Sequence, residues 1–285
     1  MSVIKINDLV YTYPGASKPS IDGVSLTIEK GEFVLITGPS GCGKTSLCRT
    51  FNGLVPHFYK GDLSGQIIVA DQDIMGEQTF DMAKHVGLVF QNPENQLFAL
   101  SVEKDVAFGL ENLGISREEM RKRVDWALNL TGIYDLRERS PHEISGGQQQ
   151  RVTIAAVLAM QPKIIVLDEP TSFLDPLSAE RIFEVIYKLN QEQGITVILV
   201  EHRLDLTAKY TNHLVVMDKG KICFEGNPRN ILCNDEISQI GVGIPKATLL
   251  YKKLKADGFD ISEQTPLSSD EFANQLLKVL ANDYS

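Results

Sequence analysis

The order of hydrophobic and polar positions predicts strands at the start of the chain. From Ile4 to Leu35, apolar and polar residues alternate in short runs that Gly and Pro interrupt, which is typical of antiparallel strands. A wholly apolar run at Phe33–Thr37 leads into the glycine-rich stretch GPSGCGKTS, and the pattern becomes helical from Thr45. Residues 65–74 have the pattern of a further hairpin. The first third of the chain is therefore expected to contain an antiparallel β subdomain.

Helical periodicity dominates from about Pro93 to Met160. Ser116 and Glu119 have the spacing of a capping box at the start of a helix. The residues after them that share one helical face are Met120, Val124, Ala127 and Leu128. We expect a helical subdomain over about 93–160.

Two continuous apolar runs follow, at Ile164–Leu167 and Ile195–Val200, and both have the length of buried strands. Between them, apolar positions repeat at helical spacing from Ile182 to Leu189. A strand, a helix and a second apolar strand predict a right-handed crossover in a parallel sheet that is covered on both faces. Residues 213–224 are predicted to form a final hairpin that turns near Lys219 and Gly220.

Beyond about Gly226 the pattern changes to that of an appendage, which divides the chain into predicted regions 1–226 and 227–285. Two amphipathic helices are predicted there, at Ala247–Leu254 and Phe272–Leu280. Ser268, with Glu271 three residues later, is the expected cap of the second helix.

Composition narrows the class of protein. The 285 residues are 43% hydrophobic and 23% charged, as in an ordinary globular enzyme, and the net charge of −9 argues against general binding to nucleic acid or anionic lipid. No apolar run approaches the roughly 20 residues that span a bilayer, and the start lacks the apolar core of a signal peptide. Any membrane role is therefore expected to act through a partner. Free thiols are expected for the four scattered cysteines Cys42, Cys48, Cys223 and Cys233.

The glycine-rich stretch matches G-x-x-x-x-G-K-[ST] in full, and it lies between an apolar strand and a helix as that motif requires. Its glycines let backbone N–H groups turn toward an anion, and the helix N-terminus adds partial positive charge. Lys44 is expected to reach the β- and γ-phosphates, and the Thr45 hydroxyl to bind Mg²⁺. The alternative is a glycine-rich turn before a helix. The expected phosphate-binding residues are Gly38, Pro39, Ser40, Gly41, Cys42, Gly43, Lys44, Thr45 and Ser46.

Two acids end the apolar strand at residues 164–167. Asp168 and Glu169 then lie at the carboxyl edge of a parallel sheet, where such folds bind ligands. Asp168 is expected to hold Mg²⁺ through its water shell, and Glu169 to polarise the attacking water. The alternative is that both acids simply solvate the strand end.

A second anion site is predicted at Ser145, Gly146, Gly147 and Gln148, where a helix starts. Ser145 and Gln148 have capping-box spacing, and the two glycines expose backbone N–H groups. Helix capping is the plainer interpretation, and it is compatible with phosphate binding because both use the same first-turn geometry.

The run EISGGQQQR resembles the signature of ATP-binding-cassette ATPases. The resemblance covers about residues 3–226 and implies a P-loop NTPase fold with a RecA-like parallel core, an antiparallel β subdomain and a helical insert. It also implies a head-to-tail dimer in which Ser145 and Gly147 of one subunit close over ATP held by the other. ATP is then the substrate, Mg²⁺ the cofactor, and a second cassette ATPase, identical or different, the partner.

The resemblance implies roles for four further positions. Tyr13 is similar to the aromatic residue that stacks on adenine, with Tyr11 as the competing candidate. Gln91 resembles the glutamine that joins Mg²⁺ to the helical subdomain. Asp175 resembles the D-loop aspartate, although an Asp before Pro is also a suitable helix N-cap. His202 resembles the switch histidine at the γ-phosphate. The catalytic residues expected from the resemblance are Lys44, Gln91, Glu169 and His202.

Three segments are similar to the energy-coupling-factor branch, whose ATPases drive uptake of vitamins and transition-metal ions: QNPENQLF, DVAFGLENLG and VEHRLD. The branch implies a peripheral position on the cytoplasmic face of the membrane, with a membrane scaffold and a substrate-binding membrane protein as partners and no nucleic acid. It also implies that residues 95–98 lie beside the groove for the scaffold, where the alternative is subdomain packing. An importer with a separate binding protein is the closest rival, and a soluble cassette ATPase without a transport role is the other alternative. Ile144, where Leu is commoner, is a departure of little consequence.

Overall fold

The computed structural model describes residues 1–259, 261 and 264–283. Ten strands are described in chain order: β1 Ser2–Thr12, β2 Ile21–Glu29, β3 Phe33–Thr37, β4 Asp62–Val69, β5 Gln72–Asp73, β6 Val86–Val89, β7 Ile164–Asp168, β8 Thr196–Val200, β9 His213–Asp218 and β10 Lys221–Gly226. They form a four-stranded sheet of order β2-β1-β4-β5 and a six-stranded sheet of order β10-β9-β3-β8-β7-β6.

Twelve α-helices are described between and after the strands: α1 Lys44–Phe51, α2 Leu54–His57, α3 Thr79–Met82, α4 Val102–Asn112, α5 Arg117–Leu130, α6 Gly146–Met160, α7 Pro176–Gln193, α8 Leu204–Thr207, α9 Pro228–Cys233, α10 Glu236–Gln239, α11 Lys246–Ala256 and α12 Ser269–Asp283. Single 3₁₀ turns lie at Pro93–Asn95, Tyr134–Leu136, Pro141–Glu143 and Ala208–Tyr210.

The six-stranded sheet is the parallel core that the apolar runs predict. Strands β3, β8, β7 and β6 are parallel neighbours, β9 pairs in parallel with β3, and only β10 is antiparallel, to β9. Every residue of β3, β7 and β8 is buried, which explains why these strands read as continuous apolar runs. The α/β fold class, with its antiparallel sheet and helical insert, is confirmed.

The two predicted hairpins have turns of one type. Lys219 and Gly220 have φ of 47° and 82° between β9 and β10, and Ala70 and Asp71 have φ of 51° and 66° between β4 and β5. Two successive residues with positive φ give the backbone twist that matches paired strands.

Strand β6 is a part of the core that the sequence pattern missed. It has only four residues, and one of them is Gly87. A Cβ at Gly87 would lie 2.5 Å from Cγ1 of Val157 on α6, so the glycine allows that helix to pack directly on the sheet. Short length and an internal glycine both weaken a strand pattern.

The core sheet separates two hydrophobic clusters. Side chains such as Val34 and Ile36 face the antiparallel sheet and α1, whereas the alternate residues Phe33 and Leu35 face α6 and α7. A third cluster joins α4, α5 and α6 within the helical insert. Helix α6 contributes to the second and third clusters, so it ties the insert to the core.

The residues after 226 contain the two predicted amphipathic helices, α11 and α12, together with the short α9 and α10, which were not predicted. The Ser268 Oγ accepts the N–H of Glu271 at 3.2 Å, as expected for the cap of α12. Ile231 and Leu232 of α9 pack into the same cluster as α7, while Tyr251 and Phe272 belong to a small cluster between α11 and α12. The domain boundary at residue 226 stays a prediction.

Within the residues described, no helix is both long and apolar enough to cross a membrane.

Candidate functional site

The loop between β3 and α1 has room only for glycine at two of its positions. Gly38 has φ of 148°, and a Cβ there would lie 2.0 Å from the carbonyl oxygen of Met217. Gly43 has φ of 110°, and its Cβ would lie 2.3 Å from the carbonyl oxygen of Ser20. The loop therefore packs tightly against β9 and against the segment between β1 and β2.

Lys44 lies inside the curve of the loop. Its side chain is buried, and Nζ donates hydrogen bonds of 2.9 Å to the carbonyl oxygens of Gly38 and Pro39. The Cys42 sulfur is 3.8 Å from the same nitrogen. A fixed ammonium thus adds to the partial positive charge at the N-terminus of α1, which makes the loop a strong anion site.

A cleft of about 440 Å³ opens over the loop. The residues that line it are Ser20, Ser40, Gly41, Gly43, Lys44, Thr45, Ser46, Gln91, Glu169 and His202. Most of the predicted phosphate, metal and catalytic residues therefore come together at the carboxyl edge of the parallel strands, where open α/β sheets bind ligands. Another cavity, of about 480 Å³, lies at the opposite edge beside Lys163 and Ile195, and no predicted site residue lines it.

The environment of Asp168 suits a hard cation. The side chain is 4% exposed, and its Oδ1 has no hydrogen-bond partner among the described residues. Burial raises the pKa of this carboxyl, and the hydrogen bond from Thr45 opposes the rise. An unpartnered buried carboxylate oxygen beside a hydroxyl is the kind of oxygen donor set that Mg²⁺ prefers, so these residues fit the ion.

Glu169 stands between Gln91 and His202. Its Oε2 accepts a 2.7 Å hydrogen bond from the Gln91 amide, and its Oε1 lies 3.0 Å from Nε2 of His202. The backbone of Glu169 has a φ of 49°, unusual for a non-glycine residue, and its N–H donates to the carbonyl oxygen of Val200 at 3.0 Å. The turn after β7 therefore places this carboxylate in the wall of the cleft, between the other two side chains.

The two candidate tyrosines have different surroundings. Tyr11 is fully buried, and its hydroxyl donates to the carbonyl oxygens of Tyr59 and Lys60 at 3.0 and 3.1 Å. Tyr13 is partly exposed, and its hydroxyl accepts hydrogen bonds from Ser46 and Arg49 at 3.2 and 3.1 Å. Tyr13 is therefore the tyrosine next to the phosphate loop, whereas Tyr11 is a core residue.

The second predicted anion site is an exposed helix start. Ser145 Oγ accepts the N–H of Gln148 at 3.3 Å, and Gln148 Oε1 accepts the N–H of Ser145 at 2.9 Å, so the capping box is complete. A Cβ at Gly147 would lie 3.0 Å from the carbonyl oxygen of Phe173, which leaves little room there, whereas at Gly146 the nearest atom of Phe173 would be at an ordinary contact distance of 3.4 Å.

Asp175 adopts the N-cap role that the sequence offered as an alternative. Its Oδ1 accepts the N–H of Ser178 at 3.0 Å at the start of α7, and hydrogen bonding from Ser178 holds the pKa of this carboxyl below its usual value. Among the residues lining the cleft there is neither Asp175 nor any of residues 145–148. The predicted nucleotide contacts thus fall into two separate places on one chain.

The structure adds three residues at or next to the site to which the sequence patterns gave no individual role. Ser20 is brought to the cleft by its contact with Gly43. Arg49 lies over the ring of Tyr59, 4.1 Å from its centroid, and donates to Tyr13. Glu201 precedes His202 and hydrogen-bonds to its backbone.

Comparisons with known proteins agree with this arrangement. The family model described as "ABC transporter" matches residues 21–172. The chain is 42% identical over 284 residues to the energy-coupling factor transporter ATP-binding protein EcfA1 of Clostridium perfringens, covering 98% of this chain and 99% of that protein.

Two solved structures are similar to this fold. The first is cbiO1 from Clostridium perfringens, part of the ABC transporter complex cbiONQ, with a TM-score of 0.73 and 35% identity over 88% of this chain and 99% of that one. The second is a dimer of the ATP-binding cassette MJ0796 in a post-hydrolysis state with ADP and Pi, with a TM-score of 0.72 and 30% identity over 79% of this chain and 99% of that one. The chain therefore belongs to the ABC transporter family, as an ATP-hydrolysing subunit.

Proposed function

We propose that this chain powers a membrane importer of the energy-coupling-factor type by closing on a second cassette, head to tail, around ATP. The separation of the two anion sites supports this proposal most directly. The phosphate loop and the catalytic cluster line the cleft, and the unpartnered metal-ligand oxygen belongs to Asp168, which directly precedes the lining residue Glu169. The capped helix start at Ser145 is exposed and does not line the cleft. A second chain, placed head to tail, brings its own residue 145 to this cleft, which completes both sites.

The residues of the cleft have different roles in hydrolysis. Lys44 and the backbone N–H groups of the loop bind and orient the phosphates, and Tyr13 stacks on the base. Glu169 accepts a proton from the attacking water, and His202 holds that carboxylate and contacts the γ-phosphate. Phosphoryl transfer requires mainly positioning and electrostatic stabilisation, which charged groups in a partly enclosed cleft provide.

Mg²⁺ fits the oxygen donors of this site. Asp168 offers its unpartnered Oδ1, Thr45 its hydroxyl and Gln91 its amide oxygen. When bound, the ion neutralises charge that develops on the phosphate oxygens. The link from Gln91 to Glu169 gives the helical insert a direct connection to the catalytic carboxylate.

An exposed apolar patch on the helical insert supports a membrane partner. Phe98 and Leu100 are 63% and 81% exposed, and the Phe98 ring packs edge-on against Phe108 with centroids 4.6 Å apart. Asp105 fixes this segment, because its Oδ1 accepts the N–H groups of Phe98 and Ala99 at 3.1 and 3.0 Å. Clustered exposed aromatic groups of this kind are typical of protein interfaces.

The patch lies just beyond the 3₁₀ turn that follows Gln91. We assign it to a membrane scaffold protein that also binds a small substrate-binding membrane protein, with this chain peripheral on the cytoplasmic face. The similarity to EcfA1 and to the cbiO1 component of cbiONQ supports this branch.

Affinity purification from detergent-solubilised native membranes, followed by mass spectrometry, tests the proposal. A membrane scaffold together with a small substrate-binding membrane protein is the expected result, and the latter identifies the class of cargo. Two ordinary permease subunits would instead assign the chain to an importer with a separate binding protein. A purely soluble set of partners would overturn the transport proposal. Replacing Phe98 and Leu100 by Ser should abolish membrane recovery and leave ATP binding intact.

A further inference from the structure

A buried carboxylate outside the cleft joins the two loops that carry the catalytic residues. Glu201 is 3% exposed and lies between β8 and His202. Its Oε2 accepts the backbone N–H groups of His202 and Arg203 at 2.8 and 3.1 Å. Its Oε1 accepts the hydroxyl of Thr171, which is completely buried.

Thr171 belongs to the turn that follows β7, two residues after Glu169. A side-chain nitrogen of Arg203 adds a weaker link, 3.5 Å from the carbonyl oxygen of Thr171. Apart from this weaker link, two side-chain contacts join the loops of Glu169 and His202. One connection is the 3.0 Å contact between the two catalytic side chains, and the other is the Thr171–Glu201 pair behind them.

Packing alone does not require a charge at position 201. A buried carboxylate loses its hydration, and this is tolerated only when hydrogen bonds replace the lost water. Here both oxygens are used, and all their donors come from the two catalytic loops. Since a hydrogen bond to a charged group is directional and stronger than a neutral one, the pair restricts how far the His202 backbone can move from Glu169.

We propose that Thr171 and Glu201 are positioning residues for hydrolysis: they hold the His202 loop at the distance from Glu169 that the catalytic contact needs. The pair lies outside the phosphate loop, so it serves the chemical step rather than ATP binding. This inference rests on the roles proposed above for Glu169 and His202.

The first test is Thr171→Val, which removes the hydroxyl and keeps the shape of the side chain. Because this substitution removes one hydrogen bond to a charged group, we expect kcat to fall by about tenfold or more. The dissociation constant for ATP should stay within about twofold, because the phosphate contacts are unchanged. Thr131→Val is the matched control, since that hydroxyl is also buried and, among the described residues, bonds only to α5, to the carbonyl oxygen of Ala127 at 2.8 Å and weakly to that of Leu128. Its kcat should equal that of the wild type.

A double-mutant cycle separates positioning from a general structural effect. If the pair acts through His202, then Thr171→Val lowers the single-turnover rate in the wild type but not in the His202→Ala background. An equal fold-loss in both backgrounds would overturn the inference. Glu201→Gln, whose amide can still accept both backbone N–H groups, should lose less activity than Glu201→Ala. Thr171→Val keeps the test valid if Glu201→Ala does not fold.

Glu169→Gln, measured beside these variants, distinguishes a failure of the proposed catalytic roles from a failure of the positioning inference. If Glu169→Gln turns over ATP at the wild-type rate, then the proposed catalytic roles are wrong. If it is inactive while Thr171→Val keeps the wild-type kcat, only the positioning inference is overturned.

Discussion

Replacing Ser145 by Asp separates the helix cap seen in the structure from the phosphate contact that we propose for this residue. In the structure, Ser145 Oγ caps α6 by accepting the N–H of Gln148 at 3.3 Å. In the proposed dimer, the same hydroxyl and the adjoining N–H groups face the γ-phosphate held by the partner. An Asp side chain can perform the first role but opposes the second, because it caps helices as well as Ser does and carries a negative charge.

The two effects differ greatly in size. Ser145→Ala removes the side-chain cap, which lowers the free energy of unfolding by about 1 kcal/mol. Ser145→Asp restores an equivalent cap, so its free energy of unfolding should stay within about 0.5 kcal/mol of the wild type. A carboxylate about 4 Å from a phosphate charge costs about 4 kcal/mol at an effective dielectric constant of about 20. That energy corresponds to about a thousandfold weaker closure around ATP.

Two measurements on each variant test this reasoning. Urea unfolding of the nucleotide-free chain gives the stability, and steady-state turnover with saturating Mg-ATP gives the activity. We expect Ser145→Asp to unfold like the wild type while losing at least about a hundredfold in turnover. Ser145→Asn, a neutral cap of similar size, is the control and should lose much less. Near-normal turnover by Ser145→Asp would refute a phosphate contact at this helix start.

The remaining predictions concern the cleft. Glu169→Gln should bind ATP and accumulate as a closed dimer, seen as a doubled mass in size-exclusion chromatography with light scattering; near-normal turnover would contradict its role. Gly38→Ala places a Cβ 2.0 Å from the Met217 carbonyl oxygen, so the affinity for ATP, measured with a fluorescent analogue, should fall at least about tenfold. An unchanged affinity would show that the loop can shift to accept the methyl group. Burial raises the pKa of the Cys42 thiol, so little reactive thiolate is present at neutral pH and maleimide labelling should accelerate as pH rises past the usual thiol range. Bound ATP should protect Cys42 from labelling and so preserve ATPase activity. Equal inactivation with and without ATP would contradict the expectation that Cys42 lies against the bound nucleotide.

Local patterns predicted much of the fold and of the cleft. The phosphate loop directly follows β3, and Asp168 and Glu169 directly follow the apolar part of β7, so local spacing predicts that each motif stands at the end of a strand. The capping box at Ser145 is equally local, and the structure confirms it.

Features that depend on distant contacts could not be predicted in this way. Thr171 and Glu201 are separated by the whole of α7 and β8, and nothing in the intervening sequence indicates that they meet. Ser20 reaches the cleft only because Gly43 lets the two backbones approach. Strand β6 exists because neighbouring β7 offers a parallel partner, which a four-residue run does not reveal. The roles of the site residues stay predictions until they are measured.

The most direct test of the proposed ATP site between two chains is a complementation measurement. Two differently tagged copies of the chain, one Lys44→Ala and the other Ser145→Asp, are co-expressed, and dimers that carry both tags are isolated by two successive affinity steps. Each variant alone should be inactive. In a mixed head-to-tail dimer, one site combines the intact phosphate loop of one copy with the intact helix start of the other, so we predict that ATPase activity returns. Mixed dimers as inactive as both parents would contradict a site formed between two chains.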